Sequence, residues 1–369
     1  MDLVNLLVKV VDSVAVRNYS ESTLYKLLKP ILFSLEPETA HGLALGSLKL
    51  SRPFLPLLSP LLKTHDKHLE KTVFGLRFPN PIGLAAGLDK RGELTDTWEK
   101  VGFGFAELGT FTAKPQDGND RPRVFRYPGQ RALINRMGFP NPGAQVVARR
   151  LELILHSGHW PSIPIGVNIG KSKVTPLDGA VEDYLESMEC FREWADYIAV
   201  NVSSPNTPDL RKLQEPGRLK KLLNALVKAA GKKPVLLKLA PDLTNQQLEK
   251  AVDTALSARC KGLIVTNTTL SRDGLPKGNY PEGGLSGTPL KKKALDILKA
   301  VSRMTRGRVP LIAVGGIFTG EDVRERLEEG ASLVQVYTGY IYEGPGLPSR
   351  LCKELLKIKP TAGTKTQRP

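Results

Sequence analysis

Tyr197-Ile-Ala-Val-Asn-Val-Ser-Ser-Pro-Asn-Thr-Pro208 is the stretch that decides how this chain folds. Its apolar run stops abruptly at two amides, two serines and two prolines, the pattern of a buried strand delivering polar side chains into a loop. Taken alone, it reads more readily as a strand followed by an ordinary Asn/Ser/Pro turn. Seven further short apolar runs change that reading: Pro81–Ala86, Phe105–Leu108, Ile165–Ile169, Val235–Leu239, Leu263–Thr266, Leu311–Val314 and Leu333–Tyr337. Helix-like segments lie between most of them, among them Arg218–Ala230, Gln246–Ala258, Leu290–Met304 and Gly320–Glu329. This alternation predicts the α/β class and a (β/α)8 TIM barrel, with functional groups gathered where the strands end. A doubly wound open sheet is the competitor, but no Gly-x-Gly-x-x-Gly follows an early strand to favour it. A short hairpin, Thr72–Phe74 and Leu76–Phe78 turning at Gly75, precedes the first run.

Upstream, Leu24, Leu27, Leu28, Ile31, Leu32 and Leu35 recur at helical spacing, on a face broadened by Tyr25 and Phe33. Pro30 is expected to kink or split this helix. Pro37 sits where a first helical turn accepts proline, and Leu43, Ala44, Ser47 and Leu48 continue a second small helix, which Pro53, Pro56 and Pro60 are expected to end. Residues 1–60 therefore read as a small N-terminal helical extension, 61–360 as the barrel, and 361–369 as a polar, disordered tail. The apolar side of the extension either packs on the barrel or meets a membrane surface. Residues 1–16 carry Val4, Leu7, Val11 and Val14 on one stripe, interrupted by Asp2, Lys9 and Asp12. That segment is too short and too polar to span a bilayer, and it lacks a signal-peptide cleavage site.

Lys+Arg 53 against Asp+Glu 37 gives a net charge of +16, which favours phosphates, carboxylates or acidic lipid as partners. No basic run is interleaved with aromatics, so no nucleic acid is expected. Cys190, Cys260 and Cys352 lie far apart without metal-type spacing, so a reduced compartment and no metal site are expected. His41, His65, His68, His156 and His159 do not end apolar strand-like runs, which argues against a histidine base.

The strand ends supply Ala85-Ala86-Gly87 with Lys90, then Gly109-Thr110, Asn168, Asn201, Lys238, Thr266-Asn267-Thr268, Gly315-Gly316 and Tyr337-Thr338-Gly339. Small residues let a flat ligand approach the backbone, and amides donate and accept together. Lys238 interrupts Val-Leu-Leu-Lys-Leu within a core strand. A buried ammonium needs a fixed partner, either a structural carboxylate or an electron-rich heterocycle such as a reduced flavin. The glycines after the last two strands suit a phosphate, and Gly283-Gly-Leu-Ser-Gly287 reads as another flexible loop. Asn135, Asn201, Asn206, Asn267 and Thr268 suit a planar molecule bearing N–H and C=O groups, with Lys90 for a carboxylate. Ser204 is the remaining candidate for proton transfer. A lone serine needs desolvation or a relay to water, and Ser203-Ser204-Pro205 is otherwise simply a turn.

Ten stretches, in order along the chain, resemble the dihydroorotate dehydrogenase family, and within it the membrane-associated, quinone-dependent class. They are Gly83-Leu-Ala-Ala-Gly-Leu-Asp-Lys90, Glu107-Leu-Gly-Thr-Phe-Thr112, Pro122-Arg-Val-Phe-Arg126, Ile134-Asn-Arg-Met-Gly-Phe139, Val167-Asn-Ile-Gly-Lys171, Asn201-Val-Ser-Ser-Pro-Asn-Thr207, Lys238-Leu-Ala-Pro-Asp242, Val265-Thr-Asn-Thr-Thr269, Gly283-Gly-Leu-Ser-Gly287 and Val336-Tyr-Thr338. The resemblance implies FMN in the barrel mouth and oxidation of dihydroorotate to orotate in pyrimidine synthesis. It implies that Ala85, Ala86, Gly87, Thr110, Asn168, Asn201 and Lys238 hold FMN together with Thr266, Ser286, Gly287, Gly315, Gly316, Tyr337 and Thr338. Lys90, Asn135, Arg136, Met137, Gly138, Phe139, Asn201, Asn206, Asn267 and Thr268 would hold the substrate. Ser204 would take the C5 proton while C6 delivers hydride to the flavin, with Phe139 and Thr207 flanking it.

Serine rather than cysteine at this position marks the quinone class. His41, Arg126 and Tyr337 match its quinone end, and the extension would lie on the membrane and form a tunnel for the quinone. The implied location is the cytoplasmic face of a bacterial inner membrane, peripherally bound, with the mitochondrial inner membrane as the alternative and no obligate protein partner. Two features depart from the family's pattern: residues 1–18 precede the usual bacterial start, and Pro140-Asn141 follows Phe139. A soluble fumarate- or NAD-linked dihydroorotate dehydrogenase, a phosphate-binding barrel without redox chemistry, and a non-catalytic membrane scaffold remain as alternatives.

Overall fold

The computed structural model describes residues 22–358. The stripe read in residues 1–16 and the tail at 361–369 lie outside the described residues. Three helices come first: α1 (Ser22–Ser34), α2 (Pro37–Leu50) and α3 (Leu55–Leu62). Helix α1 runs through Pro30 without splitting. In α2 the Glu36 carboxylate caps the first turn, accepting from the backbone N of Glu38 at 3.0 Å and of Thr39 at 2.7 Å, with Pro37 beside it.

Helix α2 ends at Leu50, ahead of Pro53, as expected. The proline-rich stretch after it forms a further helix, α3, which the sequence does not announce. Pro56 occupies its first turn, where a missing N–H leaves nothing unpaired, and Pro60 lies inside it next to the buried Ser59.

A hairpin of β1 (Lys71–Val73) and β2 (Leu76–Phe78) turns at Phe74 and Gly75, both with positive φ, as a two-residue turn between twisted strands requires. Eight parallel strands then close into the predicted barrel: β3 (Ile82–Leu84), β4 (Phe105–Phe111), β7 (Ile165–Ile169), β8 (Tyr197–Asn201), β9 (Val235–Leu239), β10 (Gly262–Val265), β12 (Leu311–Val314) and β13 (Leu333–Val336). Each pairs with its predecessor, and β13 returns to β3 through Val334–Ile82, Gln335–Gly83 and Val336–Leu84. Helices α4 (Ala144–His156), α5 (Ala180–Phe191), α6 (Pro216–Ala230), α7 (Asn245–Ser257), α8 (Lys291–Thr305), α9 (Gly320–Glu328), α10 (Thr338–Glu343) and α11 (Leu347–Lys357) follow in chain order after β4.

Three short strands, β5 (Val124–Tyr127), β6 (Ala132–Asn135) and β11 (Gly284–Gly287), make a separate antiparallel sheet. The flexible loop expected at Gly283–Gly287 is thus mostly strand. Its pairing partner lies about 150 residues earlier in sequence, so no local pattern announces it. Glycine is required there by contact, because a Cβ at Gly284 would stand 1.9 Å from Thr268 Oγ1.

The core explains why one end of the barrel is free for chemistry. Phe105 and Tyr197 fill its lower interior, their rings standing where a Cβ on Gly83 or Gly166 would be, at 2.2 and 2.0 Å. The hairpin closes this end, with Phe78 edge-on to Phe105 at 5.3 Å and Phe74 6.4 Å from Tyr197. Polar side chains accumulate only above this plug, toward the strand C-termini. The extension packs on the barrel incompletely: Leu27, Ile31, Leu50, Phe54 and Leu57 are all more than half exposed.

Candidate active site

Glu107 of β4 interrupts Phe-Ala-Glu-Leu and is wholly buried above the aromatic plug. It accepts from Asn168 Nδ2 at 2.8 Å, Gln335 Nε2 at 2.9 Å and Tyr197 OH at 3.4 Å, and Lys238 Nζ lies 3.4 Å away. Lys238 therefore has a structural carboxylate as its partner, and it also lines the cavity above. Glu107, enclosed and fully engaged, is placed to fix this layer rather than to exchange protons with a ligand.

One level higher, Asn168 Oδ1 accepts from Thr110 Oγ1 at 2.6 Å and from Asn201 Nδ2 at 3.2 Å. Asn201 Oδ1 accepts from Asn267 Nδ2 at 3.3 Å, and the same amide donates to Ser203 Oγ at 2.9 Å. Strands β4, β7, β8 and the end of β10 are thus cross-linked through their polar tips before any ligand arrives, which is the preorganisation a site needs.

A cavity opens at these tips. Its wall contains every site residue chosen from the sequence except Asn168, Arg136, His41 and Arg126. Asn168 sits behind the wall and orients Thr110 and Asn201. The Arg136 guanidinium turns away, donating to the Pro122 carbonyl at 3.0 and 3.2 Å over the Phe125 ring. Arg126 donates to the carbonyls of Leu32 at 3.0 Å, of Phe33 at 3.4 Å and of Leu35, so it caps the C-terminal end of α1, where a cation is favoured. His41, on α2, is held neutral: burial and the nearby Lys90 ammonium lower its pKa to about 3. The wall also includes Gln335, which interrupts Leu-Val-Gln-Val just as Lys238 interrupts its own strand. The same polar interruption of an apolar run marks it in the sequence.

Ser204 lies on the loop after β8 and is 5% exposed; its Oγ accepts from Asn206 N at 3.3 Å. Arg211 braces this loop, donating to Ser203 O at 3.1 Å and to Asp242 at 3.2 Å. Close by, the Thr207 hydroxyl is buried without a hydrogen-bond partner. The Phe139 ring closes the same corner, so near the chain that a Cβ on Gly170 would meet it at 2.9 Å. On the other side, Asn206 Nδ2 donates to Asn135 Oδ1 at 3.3 Å. Burial lowers Lys90 to about 8, and the carboxylate that acts on it, Glu38, is itself held by Arg123 at 2.6 Å.

The remaining wall is backbone. Gly87, Gly315 and Gly316 have φ of 106°, 118° and 66°, values open to glycine, and a Cβ on Gly316 would stand 2.4 Å from Lys291 Cα. The buried Arg326 steadies this turn by donating to Gly315 O at 2.9 Å. Gln335 Oε1 is left without a partner at the floor, and the one polar contact of Lys238 is long. A smooth glycine wall with spare polar capacity beneath it suits a flat, electron-rich heterocycle carrying a phosphate arm. Among the described residues, no three His, Cys, Asp or Glu side chains gather as a metal site would require.

The dihydroorotate dehydrogenase family model matches residues 68–358. The dihydroorotate dehydrogenase (quinone) of Gloeobacter violaceus is 48% identical over 335 residues, spanning 90% of this chain and 94% of its own. That of Thermus thermophilus is 49% identical over 336 residues, spanning 90% and 96%. Among solved structures, a crystal structure of DHODH from Eimeria tenella in complex with ferulenol superposes with a TM-score of 0.80 at 37% identity, over 88% of this chain and 94% of that one.

Proposed function

The chain belongs to the dihydroorotate dehydrogenase family, and from that we propose that it oxidises dihydroorotate to orotate in pyrimidine biosynthesis, passing the electrons through FMN to a membrane quinone. The observation that carries this reading is the single cavity at the barrel mouth, which joins a glycine-walled seat, the buried Lys238, a ring of amides and Ser204. Bound FMN supplies a two-electron acceptor that can be reoxidised in a separate step.

The residues proposed for FMN are those of the cavity wall named above, with Asn168 supporting them from behind. Lys238 would supply positive charge to the electron-accepting group when it is bound, and Glu107 keeps that ammonium fixed. Lys90 takes the substrate carboxylate, and Asn135, Asn201, Asn206 and Asn267 meet the ring N–H and C=O groups. Met137, Gly138, Phe139 and Thr268 shape the remaining wall; Arg136 contributes no side-chain contact. The Ser204 hydroxyl would receive the C5 proton while giving up its own to the unpaired Thr207 hydroxyl, which would pass a proton on to solvent, and the hydride lost from C6 would go to the bound FMN. Phe139 keeps bulk water from that corner.

The extension is the quinone and membrane unit of this proposal. Its exposed leucines have no barrel surface to cover them, and among the described residues no helix is long and apolar enough to cross a membrane. We therefore place it flat on the cytoplasmic face of a bacterial inner membrane. Tyr337 adjoins the flavin seat, donating to Gly87 O at 3.3 Å, with His41 and Arg126 farther out toward the helices.

The purified protein is expected to show a visible flavin band that bleaches anaerobically on adding dihydroorotate and returns on adding a quinone. A colourless protein that retains no flavin would sink the proposal. Substrate binding should also follow Lys90. Its cationic form is present below about 8 and is lost above it, so KM for dihydroorotate should be flat at low pH and rise about tenfold per unit above that value. A KM unchanged up to pH 9.5 would remove Lys90 from the carboxylate.

A further inference from the structure

One contact between extension and barrel is nearly closed to solvent. Glu38, in the first turn of α2, meets Arg123 through Nη2 at 2.6 Å and Nε at 3.0 Å, and the two side chains are only 14% and 7% exposed. The free Nη1 of Arg123 continues inward to the carbonyls of Asp117 at 2.6 Å and Asn119 at 2.9 Å. Asn119 in turn donates from one amide nitrogen to Asn206 O at 3.0 Å and to Arg136 O at 2.9 Å, and its backbone N donates to Met137 O at 3.0 Å. It also stands so close to Gly138 that a Cβ there would meet its amide at 2.7 Å. Glu38 is thus two side chains away from three residues of the cavity wall: Asn206, Met137 and Gly138.

We propose that Glu38 is a positioning residue for the substrate: through Arg123 it holds the Asn119 strut under the Asn206 loop, and its negative charge steadies the Lys90 ammonium. The groups facing Lys90 are few. Glu38 from α2 and Asp89 from its own turn favour its charge, Arg123 from the strand-β5 side opposes it, and His41 approaches from α2. Removing Glu38 leaves the buried Arg123 without a carboxylate partner and Lys90 with only Asp89 to offset it, which weakens the ammonium when a substrate carboxylate is due to bind it. A helix assigned to the membrane side thereby sets affinity on the pyrimidine side.

This inference rests on Lys90 and Asn206 binding the substrate. The test is orotate titration by calorimetry of full-length, flavin-loaded Glu38→Gln from pH 6 to 10, alongside flavin reduction at saturating dihydroorotate. The pH at which orotate affinity begins to fall should drop; a drop of about one unit weakens binding at pH 8 roughly fivefold. The limiting reduction rate should change little, and Glu38→Asp should fall between. If Glu38→Gln folds poorly, Glu38→Gln with Arg123→Gln removes the stranded guanidinium. It should restore the pH profile while leaving orotate affinity low at every pH, because the strut is unheld. Wild-type affinity and pH profile in these variants, with only quinone turnover lost, would reduce Glu38 to a docking contact and overturn the inference. A wild-type protein that binds no orotate would overturn the substrate reading first and this inference with it.

Discussion

Ser204→Ala is expected to leave FMN bound while slowing its reduction by dihydroorotate by about 10²–10⁴-fold, the range for losing a positioned proton acceptor. Flavin retention follows from geometry: the hydroxyl accepts only from Asn206 N, at 3.3 Å, and sits on a loop braced independently by Arg211 and Asp242. The loss should fall on the reduction step rather than on KM, because the hydroxyl meets a carbon-bound proton that moves only in the transition state. Anaerobic stopped-flow absorbance of the flavin measures this directly. Reduction within threefold of wild type would remove Ser204 from the chemistry and move attention to the buried Thr207.

Lys238→Met should cost more than activity. Lys238 and Glu107 are 6% and 0% exposed in the side chain, so solvent screens the pair little, and removing the ammonium strands a carboxylate in the barrel interior. Breaking a buried pair from one side costs about 3–5 kcal/mol. The variant should therefore melt well below wild type and purify without flavin, since the charge beneath the ring is gone. Adding Glu107→Gln to Lys238→Met removes the stranded charge; the new amide oxygen can still accept from Asn168, and its nitrogen can donate to the unpartnered Gln335 Oε1 once that amide flips. The double variant should recover most of the thermal stability but not the flavin. If Lys238→Met retains FMN and melts like wild type, neither the structural nor the cofactor role of Lys238 stands.

Strands β7, β9 and β12 appear at the boundaries read from the sequence because a strand covered on both faces must be apolar throughout and ends where polarity returns. The same contrast marks Lys238, and equally Glu107 and Gln335, each a polar interruption of an apolar run. Helix α3 was hidden because three prolines in eight residues argue locally for a linker, whereas Pro56 in a first turn loses no hydrogen bond. Arg136 illustrates the opposite error. It lies within a motif whose neighbours line the cavity, yet alternate side chains of an extended segment point to opposite faces, and its own turns to Pro122.

Residues and spacing alone established the eight-stranded barrel, the end at which it works, and the strand-end part of the cavity wall, because strand burial and the polar residues that terminate it are local patterns; Met137, Gly138, Phe139 and Ser286 entered through the family resemblance. Only the folded chain decided that Lys238 is paired with Glu107, that Gly284–Gly287 is a strand against Ala132–Asn135, that Arg126 caps a helix, and that Glu38 reaches Asn206 through Arg123 and Asn119. These are contacts between residues distant in sequence. They repeat with no period, and their energy depends on burial and angle, neither of which exists until the barrel closes.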